Sequence, residues 1–272
     1  MNKNLSIAIK AAVMAGEKIM EIYGQDDFQV EEKADLSPLT IADKKANTII
    51  LDLLAQTNIP VLSEEDKEIP YESRKNREIF WLVDPLDGTK EFIKRNDEFT
   101  VNIALIEKNC PVAGVIYLPV FKTLYIADIK FGSFKIENVE SHKTTDFSFE
   151  KLALMGKKLP LEKEKRNYTV VGSRSHMNVE TETYIEKLKN HFGEIEFISR
   201  GSSLKICMVA EGKADIYPRF GPTMEWDTAA GHAIAIAAGC SVTKADEISA
   251  MLYNKENLLN PWFIVKGKVI GD

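Results

Sequence analysis

The feature of this sequence that most constrains its fold is an unbroken apolar run at residues 79–83, Ile-Phe-Trp-Leu-Val, which an acidic segment follows directly. Alternation of apolar and polar residues marks a strand with one wet face, whereas a continuous apolar run indicates a strand that is covered on both faces. The chain is therefore predicted to contain a sheet with other structure packed on each side of it.

The rest of the pattern divides the chain into a predicted N-terminal lobe of residues 1–165 and a C-terminal lobe of residues 166–272. The first lobe has two amphipathic helices and, between residues 100 and 129, three strands predicted to be antiparallel. The second alternates strands and helices, which is typical of an α/β lobe. The segment 137–165 is rich in lysine and glutamate and is predicted to be a flexible or surface insertion near the boundary.

Charge and cysteine usage exclude several classes of function. A net charge of −6 gives no support for binding a nucleic acid polymer. No apolar run approaches the roughly 20 residues of an integral membrane segment. The three cysteines have no paired spacing, so neither a zinc site nor a disulfide framework is indicated, and a cytoplasmic location is predicted. Peripheral contact with the inner membrane face and the oligomeric state are left open.

An acidic segment, Asp84-Pro-Leu-Asp-Gly-Thr89, begins where the apolar strand ends. Aspartates at the carboxyl end of a strand face the crevice in which α/β proteins bind ligands. Gly88 permits close approach of the backbone, and the free N–H groups of Gly88 and Thr89 can cradle a phosphate at the start of a short helix. By itself, Asp-x-x-Asp is a weak signal, because solvated turns that cap the next helix commonly contain it.

Two further acidic sites in the sequence favour a metal-binding role for the first one. Glu64 and Glu65 follow the predicted strand at Val61-Leu62, and Asp227 opens the last long helix. Oxygen ligands without a convincing histidine or cysteine set favour a hard cation, and magnesium before zinc. Several carboxylates in one cleft repel one another, and divalent cations are the natural means of holding them together.

Three acidic segments of the chain, in their order and spacing, resemble the signature blocks of the inositol monophosphatase superfamily over nearly the whole length. These segments are Glu64-Glu65, Asp84–Thr89 and Trp226–Gly231. Lys90-Glu91 and the stretches 201–205 and 217–222 resemble the 3′(2′),5′-bisphosphate nucleotidase branch of that superfamily. The resemblance implies an α/β (α+β) fold, a layered αβαβα sandwich of two lobes with the site between them.

By position, the resemblance also implies the metal ligands. Glu64, Asp84 and the backbone carbonyl of Leu86 would hold a first Mg²⁺ ion, and Asp84, Asp87 and Asp227 a second. A third, weaker ion would share Glu64, so that about two to three Mg²⁺ ions are expected. Most of these ligands lie in the predicted N-terminal lobe, and Asp227 lies in the C-terminal one.

The resemblance implies catalytic roles for Asp43, Glu64 and Thr89. Water activated by the metal would attack phosphorus directly, without a phosphoenzyme, aided by Glu64 and by a Thr89–Asp43 pair. Without the resemblance, Asp43 is an exposed carboxylate in the first turn of the second helix.

For substrate binding, the resemblance and the local sequence single out residues that are mostly in the C-terminal half. They are Gly88, Thr89, Ser173, His176, Gly201, Lys205, Arg219 and Asp227. Without the resemblance, His176 is a lone loop histidine and Lys205 is a lysine whose stem extends along an apolar helix. His232, one turn after Asp227, is predicted to pack rather than to react.

The predicted activity is the Mg²⁺-dependent hydrolysis of the 3′-phosphate of 3′-phosphoadenosine 5′-phosphate to AMP and phosphate. Hydrolysis of 3′-phosphoadenylyl sulfate to adenylyl sulfate, a role in sulfur metabolism and sensitivity to lithium are implied as well. Two alternatives remain open. One is a monophosphatase acting on inositol phosphates or other sugar phosphates, and the other is a non-catalytic nucleotide sensor.

Overall fold

The computed structural model describes residues 2–25, 31–32, 38–66, 69–161, 166–173 and 177–268. Within these ranges the α-helices are α1 (Asn2–Tyr23), α2 (Ile41–Leu54), α3 (Tyr71–Arg74), α4 (Thr89–Ile93), α5 (Phe149–Met155), α6 (Val179–Phe192), α7 (Leu204–Glu211) and α8 (Glu225–Ala237). The strands are β1 (Glu31–Glu32), β2 (Pro38–Leu39), β3 (Val61–Ser63), β4 (Ile79–Asp87), β5 (Thr100–Glu107), β6 (Cys110–Leu118), β7 (Thr123–Asp128), β8 (Gly132–Ile136), β9 (Lys157–Lys158), β10 (Tyr168–Gly172), β11 (Ile195–Ser199), β12 (Ile216–Arg219), β13 (Ser241–Lys244) and β14 (Phe263–Lys266).

The apolar run of the sequence forms β4, which lies inside a seven-stranded sheet of order β3-β4-β5-β6-β7-β8-β9. Strand β3 is parallel to β4, and β5 to β9 follow as antiparallel neighbours. Trp81 and Val83 join the core beneath α1 and α2, while Phe80 and Leu82 join the core on the opposite face. The prediction that this strand is covered on both faces is therefore confirmed.

A second sheet, of order β11-β10-β12-β14-β13, combines parallel and antiparallel pairs. Helices α7 and α8 lie between the two sheets, since α8 packs on β5 and β6 and α7 packs on β10 and β12. Helix α6 covers the outer face of the second sheet, where Ile185 packs against Val170 and Ile216. Helix, sheet, helix, sheet and helix thus form five layers, as the αβαβα prediction required.

The predicted insertion at 137–165 is wrong for its described part, residues 137–161. Helix α5 buries Phe149 and Leu152 in the core beside α1, and β9 pairs with β8. The segment has few large apolar side chains, but these two stand three residues apart and so face the same side of one helical turn. Their spacing matters more for packing than the lysine-rich composition around them.

The two halves of the chain supply different sheets but share one core. The core cluster between the sheets combines Phe80 and Leu82 from β4 with Val171, Tyr217 and Val265 from the second sheet. Division into two lobes near residue 165 stays a prediction. In the part of the chain that the structure describes, no helix is long and apolar enough to cross a membrane.

Candidate active site

Two adjoining clefts lie where β4 ends and where α4, α7 and α8 begin. The narrower cleft has a volume of about 250 Å³ and the wider one about 370 Å³. Both are lined by Asp87, Lys90, Glu91 and Asp227. A ligand that occupies one cleft can therefore extend into the other.

The last residues of β4 form the floor of the narrower cleft. The pairing of β4 with β5 shifts register between Asp84 and Asp87, which turns the strand end out of the regular ladder. Asp84 is only 1% exposed, and its Oδ1 accepts a hydrogen bond from the Leu86 N–H at 3.1 Å. Gly88 has φ +95°, and a Cβ atom there would lie 3.0 Å from the Glu98 carbonyl oxygen, so this position requires glycine.

A threonine–aspartate pair borders the same cleft. The Thr89 hydroxyl donates to Asp43 Oδ1 at 3.1 Å, and it lies 3.3 Å from the Leu86 carbonyl oxygen. The other oxygen of Asp43 accepts from the Thr40 N–H at 2.7 Å and the Thr40 hydroxyl at 2.6 Å, which closes a capping box at the start of α2. Asp43 is 2% exposed, so the interpretation of this residue as an exposed carboxylate is wrong.

Asp87 is held by residues that the sequence analysis did not select. Its Oδ2 lies 2.7 Å from the Ser202 hydroxyl, the Ser203 N–H and the Ser203 hydroxyl, and 3.2 Å from the Asn102 amide. One signal was present in the sequence, because Asn102 is a polar residue inside an otherwise apolar strand. The two serines lie directly after Gly201, which the sequence analysis did select.

Asp227 occupies the third position of α8. Its Oδ2 accepts from the Met224 N–H at 2.8 Å, so this carboxylate caps the helix as well as facing the cleft. Burial, followed by the negative charges of Asp87 and Glu64, raises the pKa of Asp227 well above its ordinary value. All three acidic residues line the narrower cleft, so their negative charges repel one another.

The structure brings all the predicted metal ligands to the narrower cleft. They are Glu64, Asp84, Leu86, Asp87 and Asp227. Within the described ranges, Oδ1 of Asp87 and Oδ1 of Asp227 accept no hydrogen bond, so each carboxylate keeps one oxygen for another ligand. No three histidine, cysteine, aspartate or glutamate side chains of these ranges stand close enough together to hold an ion as they are.

The donors nevertheless fit Mg²⁺ in kind. They are carboxylate oxygens and one backbone carbonyl, which are the hard ligands that this cation prefers. Asp87 and Asp227 are each anchored through Oδ2, which leaves Oδ1 of each carboxylate available to a cation.

The wider cleft contains buried cationic side chains. Lys205 is 7% exposed and donates to the Ser202 carbonyl oxygen at 2.6 Å. Burial lowers the pKa of Lys205 to about 8, although the charge of Asp87 opposes this shift. Arg219 is also buried and donates through Nη2 to the Pro222 carbonyl at 2.8 Å, while its Nε has no partner in the described part of the chain. This cleft is therefore suited to an anionic ligand.

Of the remaining predicted substrate contacts, two line the wider cleft and one lies outside the described residues. Ser173 and Gly201 line the wider cleft, and the Gly201 N–H donates to Glu98 Oε2 at 2.8 Å. His176 lies outside the described residues. His232 is buried, with Nδ1 2.9 Å from the Tyr253 hydroxyl, so it packs in the interior as predicted.

Two stacked sheets, with an acidic cleft beside one that contains buried cations, are the arrangement expected of a layered α/β phosphatase. The chain belongs to the inositol monophosphatase family, since the sequence model of that family matches residues 1–270. The family resemblance and the fold that were predicted from the sequence are thereby confirmed.

Comparison with individual proteins narrows the position within the family. The chain is 46% identical over 254 residues to the 3′(2′),5′-bisphosphate nucleotidase CysQ of Salmonella typhimurium, covering 92% of this chain and 94% of that protein. Its structure resembles the crystal structure of CysQ from Bacteroides thetaiotaomicron with a TM-score of 0.90, at 52% identity and 98% coverage of both chains. It also resembles the extragenic suppressor protein SuhB from Bartonella henselae, with a TM-score of 0.73, 26% identity, and coverage of 97% of this chain and 94% of that one.

Proposed function

We propose that this chain is a 3′(2′),5′-bisphosphate nucleotidase that hydrolyses the 3′-phosphate of 3′-phosphoadenosine 5′-phosphate to give AMP and phosphate. The observation that carries the proposal is the pair of adjoining clefts, which share Asp87 and Asp227: the narrower one is acidic, and the wider one adds the buried cations Lys205 and Arg219. A substrate with two separated anionic groups matches such a pair. The CysQ relatives, which carry this activity in their names, support the same assignment.

The proposed cofactor is Mg²⁺, bound in the narrower cleft. Glu64, Asp84 and the Leu86 carbonyl would hold one ion, Asp84, Asp87 and Asp227 a second, and Glu64 would be shared with a weaker third. When bound, magnesium neutralises phosphate charge, activates water and stabilises the leaving oxygen.

The residues of the chain orient the reaction around that cleft. Thr40 fixes Asp43, and Asp43 in turn fixes the hydroxyl of Thr89 by accepting a hydrogen bond from it, with 3.1 Å between the two oxygens. The oxygen of Thr89 then keeps lone pairs for a hydrogen bond from the attacking water, and Glu64 is proposed to take the proton that this water loses. Gly88 and Thr89 would also contact the phosphate that is cleaved.

Selectivity is proposed to come from the wider cleft. Lys205 and Arg219 would bind the second phosphate, and Ser173 and Gly201 would contact the nucleoside, together with His176. A charge-assisted hydrogen bond to a phosphate contributes roughly 1.5–3 kcal/mol. Because 3′-phosphoadenylyl sulfate also carries an anionic group on its 5′ side, it is proposed as a second substrate, with adenylyl sulfate as the product.

The test is phosphate release from a substrate panel with and without Mg²⁺. We expect Mg²⁺-dependent release from 3′-phosphoadenosine 5′-phosphate and a clear preference for it over inositol 1-phosphate, which lacks a second phosphate. Equal turnover of the two substrates would favour the sugar-phosphate alternative. Tight nucleotide binding without any phosphate release would favour the sensor alternative.

Two properties of the proposed enzyme follow from the acidic cleft and its setting. Inhibition by lithium, uncompetitive or mixed toward the nucleotide, is expected if one weakly held Mg²⁺ site accepts the smaller charge of Li⁺. A cytoplasmic location is proposed from the cysteines without paired spacing. Unchanged activity at lithium concentrations far above that of magnesium would contradict the first expectation.

A further inference from the structure

The segment 201–205, which consists of a turn at Ser202-Ser203 and the start of α7, faces both clefts at once. Gly201, Ser202, Ser203 and Lys205 line the wider cleft. From the same turn, the side chains of Ser202 and Ser203 reach Asp87, which lines the narrower cleft. A single short segment is therefore in contact with the site proposed for the nucleotide and with a proposed metal ligand.

Asp87 depends on this turn for the position of its carboxylate. Three donors from Ser202 and Ser203 lie 2.7 Å from its Oδ2, and the Asn102 amide lies at 3.2 Å. With Oδ2 fixed from these directions, rotation of the carboxylate is restricted and Oδ1 is left for a cation. Hydrogen bonds to an ionised carboxylate are stronger than those between neutral groups.

Ser202 holds this position in an unfavourable backbone conformation. Its φ is +51°, in the left-handed region that residues other than glycine rarely adopt. Such strain persists where the surroundings enforce it, and it concentrates at functional sites. Here the hydroxyl of Ser202 bonds to Asp87 and lies 2.6 Å from the Thr100 hydroxyl, while its carbonyl accepts from Lys205 at 2.6 Å.

Ser203 connects the turn to α8, the helix that carries Asp227. Its hydroxyl oxygen lies 2.7 Å from Asp87 Oδ2 and 2.8 Å from the Asp227 carbonyl oxygen, and it accepts from the Asn102 amide at 2.8 Å. The single hydroxyl proton can be donated either to Asp87 Oδ2 or to the Asp227 carbonyl oxygen, but not to both at once. The Ser203 N–H donates to Asp87 Oδ2 in either case.

We infer that Ser202 and Ser203 are positioning residues that preset Asp87 for Mg²⁺, so that the turn lining the nucleotide cleft also determines metal affinity. The inference rests on the proposed function, in which Asp87 is a metal ligand. It assigns these serine hydroxyls to the metal site rather than to the substrate alone.

The experiment is calorimetric titration of Mg²⁺ into the full-length protein without nucleotide. Ser202→Gly removes the hydroxyl and relieves the strained φ, whereas Ser202→Ala removes the hydroxyl and keeps the strain. Both should weaken Mg²⁺ binding by about 10- to 100-fold, the usual effect of losing a group that orients a metal ligand. The Mg²⁺ concentration for half-maximal turnover should rise in step, and saturating Mg²⁺ should restore most of kcat.

Ser203→Ala is a second test on the same oxygen of Asp87 and should act in the same direction. Ser133→Ala is the matched control, because the Ser133 hydroxyl is buried and has no hydrogen-bond partner within the described ranges. It should leave Mg²⁺ affinity within about twofold of the wild-type value. Thermal unfolding in EDTA should be similar for the wild type and Ser202→Gly.

Wild-type Mg²⁺ affinity in Ser202→Gly would overturn the inference, because a purely conformational role predicts that glycine serves as well as serine. In that case the proposed function stands, provided that the wild-type enzyme binds Mg²⁺ and releases phosphate. A wild-type protein that does neither would overturn both.

Discussion

Among single residues, Asp84 is the one that the proposed function makes a ligand of both magnesium ions. Its side chain is almost fully buried. Its neighbours on the cleft wall, Asp87 and Asp227, are each anchored through one oxygen by protein donors. A buried carboxylate beside others is unfavourable unless cations or hydrogen bonds compensate for it. Residues of this kind are expected to have large effects on activity and small effects on the fold.

We expect Asp84→Asn to lower turnover by at least about 100-fold, the scale seen for loss of one group that stabilises transition-state charge. An asparagine can still accept the hydrogen bond from the Leu86 N–H, so folding should be preserved. Melting temperature in EDTA should be unchanged or higher, because one negative charge is removed from a crowded cleft. Asp52→Asn, on an exposed position of α2, is the control. Substantial turnover by folded Asp84→Asn would contradict the shared-ligand role.

Lys205 should control selectivity and its dependence on pH. Lys205→Ala should lower kcat/KM for 3′-phosphoadenosine 5′-phosphate by roughly 10- to 100-fold, with much less effect on inositol 1-phosphate. Burial gives Lys205 a pKa of about 8, so its positive charge is lost as pH rises through that value. In the wild type, kcat/KM for the nucleotide should therefore fall above pH 8, because this quantity reports the free enzyme.

Two variants check that assignment. Lys205→Arg keeps its charge at every accessible pH and should remove the fall above pH 8. Lys205→Ala should remove it too, at a uniformly lower rate. The same fall in Lys205→Ala as in the wild type would show that another group titrates.

His232 should make stability depend on pH. Burial lowers the pKa of His232 to about 4 from 6.5. Because the unfolded chain binds the proton more readily, stability is fully present above pH 6.5 and is lost as pH falls toward 4. His232→Gln stays neutral, so between pH 6.5 and 4 the wild type should lose on the order of 2–3 kcal/mol more than this variant. Urea unfolding at a series of pH values measures the difference, and parallel curves would contradict the prediction.

Among the elements, α8 links the fold to the site because it crosses the seven-stranded sheet and carries Asp227 near its start. Its small residues let it approach β6 closely. A Cβ atom on Gly114 of β6 would lie 2.4 Å from the Ala230 carbonyl oxygen and 3.0 Å from the Ala233 Cβ. Helix α8, and with it Asp227, can take its position only because residue 114 of β6 has no side chain.

Gly114→Ala should therefore destabilise the protein by about 1–3 kcal/mol through overpacking. Because α8 must shift to make room, kcat should fall together with stability. Gly24→Ala is the control, since among the described residues the nearest atom to its added Cβ would lie 3.7 Å away, and its effect should stay within about 0.5 kcal/mol. Urea midpoints and kcat at saturating Mg²⁺ test both variants. Wild-type behaviour of Gly114→Ala would show that α8 has room to move.

On the scale of the whole molecule, the core between the sheets draws side chains from both halves of the chain. Neither half can bury its inner face alone, because α7 and α8 separate the two sheets and pack on both. Apolar area that becomes exposed when one half unfolds is unfavourable for the other half. The two predicted lobes are therefore expected to unfold as one energetic unit.

We expect the chain to unfold in a single cooperative transition in EDTA. Near-UV and far-UV signals should change together, and the calorimetric and van't Hoff enthalpies should agree. Added Mg²⁺ should raise the midpoint, because a ligand that binds only the folded state stabilises it. Two separate transitions would show that the halves fold independently.

Much of this protein was already determined by its sequence. The apolar run at 79–83 predicted a strand covered on both faces, and the acidic segments were predicted to follow the strands now seen as β3 and β4. The parallel pairing of β3 with β4, which brings both segments to one edge of the sheet, came from the structure. Local pattern is sufficient for such features, since strand burial and strand-end position depend on neighbouring residues.

Only the tertiary structure decided what surrounds those residues. Asp43 is buried against Thr89 although its own turn of helix looks exposed, and Lys205 lies in a cleft although its helix is apolar. Ser202 and Ser203 hold Asp87 from 115 and 116 residues along the chain. A hydrogen bond over that separation leaves no periodic trace in the sequence, because it depends on how the layers pack rather than on any one element.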